Sequence, residues 1–511
     1  MTRDITRTGS GDESGSGLEK PAFSQQEVSA GVIQPDIVDP DAGKSDEERA
    51  LLDRKLMRKL DWTLMPWLCF LYLISFLDRT NIGNAKVAHL TKDIPMSTSR
   101  FNDTLTIFFV SYSLFEPLAN VLLKRMRPSI FIPMIMFFWG CTMLGMGFIH
   151  NWEGLMASRF FLGLTEAGLF PGVSYYLSCW YKRGEFGSRL AIFFSAAAIA
   201  GSFGGLLAAA ISKMDGIGGK QGWAWIFILE GLLTVIVGLL SFFFVHDFPH
   251  EAKFLTDDER ARVLYRLSLD NQSSIDEKFQ YKFLWQSLTD WKTYVGMLMY
   301  MGALMPMYSF SLFLPTIISS MSFTTPDSII RNQLLSVPPY ILAAANTMIC
   351  GLWSDRLGRR GVFQTPLGLL AMAGFLMVML STSPSVQYTG TFLAAAGTYA
   401  LIPISLAWVA NNIEGMYKRG ITMGLVVGWG NLNGIVSSNV YFDGPRFFQG
   451  HGVVLGYFSI CTIFGSSLMM YMLNHENNLR REGKRDHWIA GKSEQEIAEM
   501  GDNRPDFHYI I

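Results

Sequence analysis

The chain has 511 residues, a net charge of −1, 50% hydrophobic residues and only 17% charged ones, against about 25% charged in ordinary soluble domains. Mean hydropathy is positive, at +0.23. Together these values point away from a soluble enzyme or a nucleic-acid binder and toward an all-α protein that crosses a membrane many times; the basic residues are scattered in short loops and not gathered on one face.

The first 45 residues or so are rich in Ser, Gly, Asp and Glu and lack an apolar core. They read as a disordered cytosolic tail with no cleavable signal peptide, so the first membrane helix is expected to act as the targeting signal. Long apolar segments then recur. Twelve spans are expected, at about 61–88, 102–123, 129–150, 153–181, 189–212, 223–245, 292–320, 332–354, 363–383, 387–413, 419–441 and 453–475. The predicted domains are a mostly disordered tail (1–60), a six-helix bundle (61–245), a cytosolic linker (246–291), a second six-helix bundle (292–476) and a cytosolic tail (477–511).

Within span 1, the stretch from Trp62 to Leu77 has only sixteen residues, about 24 Å of helix against a hydrocarbon core of about 30 Å. The helix must therefore run on through Asp78 and Arg79, and charges at that depth cost about 2.5–3.5 kcal/mol each on insertion scales. Such charges usually face a protein cavity, so the pair points toward a transport site. As neighbours they lie about 100° apart on a helix, and each is expected to meet a partner from another helix. Arg79 keeps its charge and offers a planar fork that suits a carboxylate. It reads either as the ligand of an anionic substrate or as a helix-end residue snorkelling to the outer surface.

Span 2 carries Glu116 just before Pro117, a candidate helix-pair contact. Asn102-Asp-Thr104 is a glycosylation sequon close to the membrane on the outer side. Most of span 4 is Arg159-Phe-Phe-Leu-Gly163-Leu-Thr-Glu166-Ala-Gly168-Leu-Phe-Pro171-Gly172. Arg159 and Glu166 are seven positions apart, which puts them on one helical face. A carboxyl set among uncharged residues in a membrane is suited to carrying a proton; the alternative is a structural ion pair with Arg159 or Arg79. Glu230 in span 6 reads as structural. Asn411, Asn412, Asn431, Asn433 and Asn439 line spans 10 and 11; interhelical hydrogen bonds account for most of them, and contact of one or two with substrate is the alternative. Tyr300 and Tyr308 in span 7 offer hydroxyls to a cavity or simply pack.

The linker contains Thr256-Asp-Asp-Glu-Arg-Ala-Arg-Val-Leu-Tyr-Arg-Leu267, a capped amphipathic pattern that predicts a surface helix. Lys and Arg concentrate in alternate loops, at Lys124 to Arg127, Lys182-Arg183, Arg356 to Arg360 and Lys418-Arg419. By the positive-inside rule this places both termini in the cytosol. The five cysteines lie in or beside apolar runs without paired spacing, as free thiols would. No clustered Cys or His suggests a metal, and no cofactor is expected.

Six spans, a polar linker and six more is the layout of the major facilitator superfamily, whose two bundles rock about a central site. Between spans 8 and 9, Gly351-Leu-Trp-Ser-Asp355-Arg356-Leu-Gly358-Arg359-Arg360 matches that superfamily's loop signature. The glycine lets two helices approach, and the acid caps a helix or pairs with a base from a neighbouring helix in one conformation only, latching the inner gate. The corresponding first-half loop has Asn120 and Lys124 where Gly and the acid belong, so a latch there is doubtful; the two loops nonetheless suggest an internal repeat.

Phe-Leu-Asp78-Arg79-Thr-Asn-Ile-Gly-Asn, Glu116-Pro-Leu-Ala-Asn120, Thr-Glu166-Ala-Gly-Leu-Phe-Pro171-Gly, Trp180-Tyr-Lys-Arg-Gly-Glu-Phe186, His246-Asp-Phe-Pro249 and Gly501-Asp-Asn-Arg-Pro505-Asp-Phe-His-Tyr509 resemble the fungal anion:cation symporter family, which includes allantoate, nicotinate and vitamin permeases. The resemblance covers nearly the whole chain from about residue 50. It implies proton-coupled uptake of a small organic anion at the plasma membrane, by a carrier working as a monomer. It further implies Asp78 and Glu166 as proton sites, Arg79 as the anion contact and Arg159 as a member of the charge network. The rival readings are a proton-antiport exporter of an acidic secondary metabolite and a non-transporting nutrient sensor.

Overall fold

A computed structural model describes residues 39–269, 281–321, 329–441, 446–493, 496–497 and 500–511. The first 38 residues of the predicted disordered tail and the middle of the linker lie outside these. Every regular element among the described residues is helical.

The twelve predicted spans all appear as helix: Asp46–Val87, Thr98–Arg125, Pro128–Met146, Trp152–Glu166 continued by Leu169–Ser178, Arg183–Ile211, Gly222–Phe244, Trp291–Ser319, Ile329–Leu357, Gly361–Leu380, Pro384–Asn411, Met416–Asn439, and Phe448–Gly456 running through Tyr457–Phe464 into Gly465–Arg481. They are numbered spans 1–12 in that order. Nine of these helices are long and apolar enough to cross a membrane by length and composition alone. Spans 2, 4 and 11 carry Glu116, Arg159 and Glu166, and Asn431 with Asn433. Their polar residues turn inward, and their lipid side stays apolar. In span 2, Val110, Leu114, Leu118 and Leu122 are exposed at every fourth position, a stripe along one face of the helix.

Span 1 begins earlier than expected. The helix starts at Asp46, inside the predicted 1–60 tail, because Ser45 and Glu48 form a reciprocal capping box. Span 4 is broken at Ala167 and Gly168. Pro171 has no N–H to give to the Ala167 carbonyl, so the helix opens there. Gly168 suits the break for a second reason: a Cβ at that position would lie 2.9 Å from the Phe131 ring and 3.1 Å from Ala119. In span 12, Tyr457–Phe464 is wound as a wider π-helix.

Helix packing displays the internal repeat. Span 2 packs on span 11 and span 5 on span 8; span 1 packs on 5 and 7 on 11; span 2 packs on 4 and 8 on 10. Each pair becomes the next when six is added to a span number, counting round the twelve, as a two-fold exchange of six-helix halves requires. Along spans 5 and 8 the fit is tight: a Cβ on Gly351 would lie 2.2 Å from that of Ala191. At the opposite end of the same pair Ser202 donates to the Val337 carbonyl.

The predicted linker helix is Asp257–Leu269. Thr256 and Glu259 form its capping box. Its charged face lies on the protein: Lys59 meets Glu259 at 2.6 Å, Arg262 meets Asp41 at 2.7 Å, and Arg266 meets Glu185 at 2.6 Å. The Arg262 guanidinium holds the Asp41 carboxyl well below the usual carboxylate range.

The sequon residue Asn102 is only 5% exposed, within the span 2 helix. In the predicted tail 477–511, span 12 continues to Arg481, and residues 500–511 pack back on the second half. There Lys292 lies 3.0 Å from Asp290 and 2.8 Å from Asp502, and Lys418 lies 2.7 Å and 2.8 Å from the same two acids. Asn412 and Trp408 donate to the Ile510 carbonyl, and Asn477 exchanges two hydrogen bonds with the Tyr509 backbone. Buried backbone groups demand such partners, and the segment finds them on spans 10 and 12.

Candidate functional site

Asp78 and Arg79 both lie inside the protein, at 0% and 5% exposure, so the snorkelling alternative for Arg79 does not describe this structure. They point to different neighbours. Arg79 faces the space between the halves. Its Nη2 and Nε donate to Glu166 Oε1 at 2.7 and 3.2 Å, and its Nη1 donates to Tyr308 Oη at 3.0 Å. Ser75, one turn before Arg79 on span 1, donates to the same Glu166 oxygen at 2.6 Å. Glu166 Oε2 is buried and takes no hydrogen bond.

Of the two partners left open for Glu166, the structure brings up Arg79. Arg159 is buried too, but its Nε and Nη1 make no hydrogen bond. Its guanidinium lies 5.5 Å from the centre of the Phe108 ring, and that of Arg79 lies 5.4 Å from the same ring. Two cations therefore flank one aromatic side chain. Phe76, Tyr112 and Tyr308 also stand around Arg79, at 6.0, 4.8 and 5.8 Å.

Asp78 turns instead into the first half. Its Oδ2 accepts from Trp139 Nε1 of span 3 at 2.7 Å and from Thr234 Oγ1 of span 6 at 2.8 Å, leaving Oδ1 without a partner. Beside it Asn81 donates to Glu230 of span 6, an interhelical contact in keeping with the structural reading of Glu230. The angular offset read from the sequence accounts for this divergence between adjacent residues.

From Tyr308 the hydrogen bonds continue. Tyr308 Oη donates to Asn431 Oδ1 at 2.8 Å, and Asn431 Nδ2 donates to Glu116 Oε2 at 2.9 Å. Of these, sequence reasoning singles out Glu116 as a helix-pair contact and names Tyr308 and Asn431 among several candidates. It misses Ser75, Trp139 and Thr234; each is a small or aromatic residue in an apolar run, and only its distance from a carboxylate marks it.

The loop motif between spans 8 and 9 forms a compact unit. Asp355 pairs at 2.6 Å with Arg360, which caps span 9 and also donates from Nη1 to Ser354. The acid thus meets a base of its own motif. Gly187 of span 5 sits against the pair: a Cβ there would lie 2.5 Å from Asp355 Oδ1 and 2.6 Å from Arg360 Nη2. Gly358 has a φ of +60°, which a side chain would strain. Arg356 and Arg359 are exposed. The backbone N–H of Arg360 donates to the Ile511 carbonyl at 2.9 Å, tying the motif to the docked tail.

A family model described as Major Facilitator Superfamily matches residues 68–438. The chain belongs to that superfamily. It is a multi-pass membrane transporter with the superfamily's twelve-helix fold, and not an enzyme. Among superfamily relatives, an MFS-type transporter of Penicillium expansum is 35% identical over 477 residues, covering 90% of each chain. The high-affinity nicotinic acid transporter of Saccharomyces cerevisiae is 31% identical over 463 residues, covering 90% of this chain and 85% of its own. A bacterial homologue of the human lysosomal transporter Spinster, solved inward-facing and unoccupied, superposes with a TM-score of 0.60 at 14% identity. That likeness covers 83% of this chain and 97% of the other and speaks for the fold alone.

Proposed function

We propose that the protein takes up a small organic anion together with protons by alternating access. In this reading Arg79 is the contact for the substrate carboxylate, and Glu166 and Asp78 take the protons. The observation that carries it is the lopsided Glu166 carboxylate: one oxygen holds Arg79 and Ser75, and the other is buried and open.

A proton arriving at Oε2 neutralises Glu166. The Arg79 guanidinium is then a buried charge without a counterion, a state that costs about 3–5 kcal/mol when a buried pair loses one partner. A substrate carboxylate relieves that cost and is held by the planar fork. The charge count gives the coupling. Empty carrier (Arg79 cationic, Glu166 anionic) and loaded carrier (Arg79 cationic, Glu166 neutral, substrate anionic) both sum to zero at these groups. The carrier with a proton and no substrate sums to +1 and is the costly form to move, so protons do not leak unaccompanied. Asp78, held by two neutral donors and open at Oδ1, is the second proton site, and Arg159 adds positive field beside Phe108.

Rocking of the halves 61–245 and 292–476 then delivers the anion to the cytosol, with both termini and the linker on that side. The Gly351, Asp355, Arg356, Gly358, Arg359 and Arg360 loop acts at the inner gate, where Gly187 of the first half meets it. The aromatic rings around Arg79 suit a carboxylate on a flat or apolar body, and the yeast relative is a nicotinic acid transporter. Nicotinate and similar carboxylates at the plasma membrane are the substrate class this supports.

The test is uptake of labelled carboxylates, vitamins and ureides in yeast lacking its own carriers, at acid and at neutral external pH. Accumulation that rises in acid and collapses with a protonophore is expected for one carboxylate class. No accumulation of any anion, with build-up of an acidic metabolite inside cells that lack the protein, would make it an exporter.

A further inference from the structure

Glu116 has no part in the cycle above, yet it is a buried carboxyl joined to it by hydrogen bonds. From Arg79 the chain of bonds passes to Tyr308 on span 7, to Asn431 on span 11 and back to Glu116 on span 2, with lengths of 3.0, 2.8 and 2.9 Å. It therefore leaves the first half, runs through the second and returns to the first. Each donor in it faces the same way, from the guanidinium toward the Glu116 carboxylate.

That common direction arises from what the end groups are able to do. A guanidinium only donates, and a carboxylate only accepts. Glu116 takes the Asn431 amide N–H, so the Asn431 oxygen must face Tyr308. The Tyr308 hydroxyl has one proton and gives it to that oxygen, so toward Arg79 it only accepts. Without Glu116 the Asn431 amide is free to turn over. It would then present its N–H to Tyr308 and push the hydroxyl proton toward a cation that also donates.

Resting on the reading of Arg79 as the anion contact, we propose that Glu116 is a positioning residue for the substrate site. By fixing the direction of the Asn431–Tyr308 pair it aims the Arg79 Nη1 edge at the second half, and it does so from 37 residues along the chain through two residues of the opposite bundle. Its role needs an acceptor oxygen at that place more than it needs a titrating group.

The experiment uses full-length protein in two arms. In carrier-deficient yeast with labelled nicotinate, Glu116→Ala is expected to raise KM about tenfold, the loss of one hydrogen bond to a charged network, with maximal rate falling less. Glu116→Gln keeps an acceptor and returns KM to within about threefold. The second arm needs no substrate. In thermal melting of purified protein, the losses from Glu116→Ala and Tyr308→Phe do not add, and that coupling disappears in an Asn431→Ala background. Melting losses that add in the wild-type background, or a lower maximal rate at unchanged KM, overturn the proposal. If wild-type protein carries no nicotinate and the melting cycle is still non-additive, the substrate class falls and the positioning chain stands.

Discussion

Two of the clusters of buried charge among the described residues are built on opposite plans. At the linker end, Asp290, Lys292, Lys418 and Asp502 form a closed square in which each lysine lies within 3.0 Å of both acids. Between the halves, Arg79 meets one carboxylate, and Glu166 and Glu116 each keep an oxygen with no partner. A saturated cluster has nothing to exchange and holds the tail in place. A cluster with open positions can change partners, which is what a carrier needs. Burial of charge alone therefore does not mark a transport site; unfilled bonding capacity separates the two.

The comparison breaks first at Arg79. Arg79→Ala is expected to abolish uptake at normal surface expression, and Arg79→Lys to remove most of it, because a point charge lacks the fork that spans a carboxylate; labelled uptake beside surface quantification reads both. Next is Glu166→Gln, which should end accumulation against a gradient and leave exchange of labelled for unlabelled substrate. Concentrative uptake by this variant would remove Glu166 from the coupling.

At the saturated cluster the expected pattern is the reverse. Asp502→Asn should lower the melting temperature of purified protein, breaking a buried pair worth about 3–5 kcal/mol, with substrate KM unchanged. The pH dependence has a definite sign. Burial raises the Asp290 carboxyl, but Lys292 and Lys418 more than offset this, so it titrates below its ordinary range. Its stabilising contribution is complete above that range and is lost as pH falls through the lowered value. Melting temperature should thus drop on acidification more steeply in wild type than in Asp290→Asn. The smallest effect is expected at the contact between spans 1 and 7, where a Cβ on Gly83 would lie 2.8 Å from the Leu312 carbonyl oxygen. Gly83→Ala should spread these two helices, seen as a modest rise in thiol labelling at a cysteine placed nearby.

Periodicity and length carried the spans because a bilayer leaves a helix few ways to satisfy its backbone. They also carried the depth of Asp78 and Arg79, since sixteen apolar residues are too few to cross. The divergence of that pair was readable from 100° per residue. The choice of Arg79 over Arg159 as partner of Glu166 was not, for both satisfy the spacing. Tyr308, Asn431 and Glu116 meet across 123 and 315 residues, and no local pattern encodes contact between two bundles. The docked tail escaped for a similar reason: Asp502 in a polar stretch looks solvated until Lys292 and Lys418 are seen to converge on it.

The π-wound stretch of span 12 has a geometric consequence. A turn carrying an additional residue sets the rotational phase of the helix beyond it. That later part of span 12 carries Asn477 and Arg480, the latter donating to the Asp502 carbonyl and the Tyr509 hydroxyl. Shortening Tyr457–Phe464 by one residue would restore ordinary winding and swing both side chains about 100° around the axis, away from the stretch of chain they clasp. A defect deep in the bilayer would then be felt as a released end on its surface.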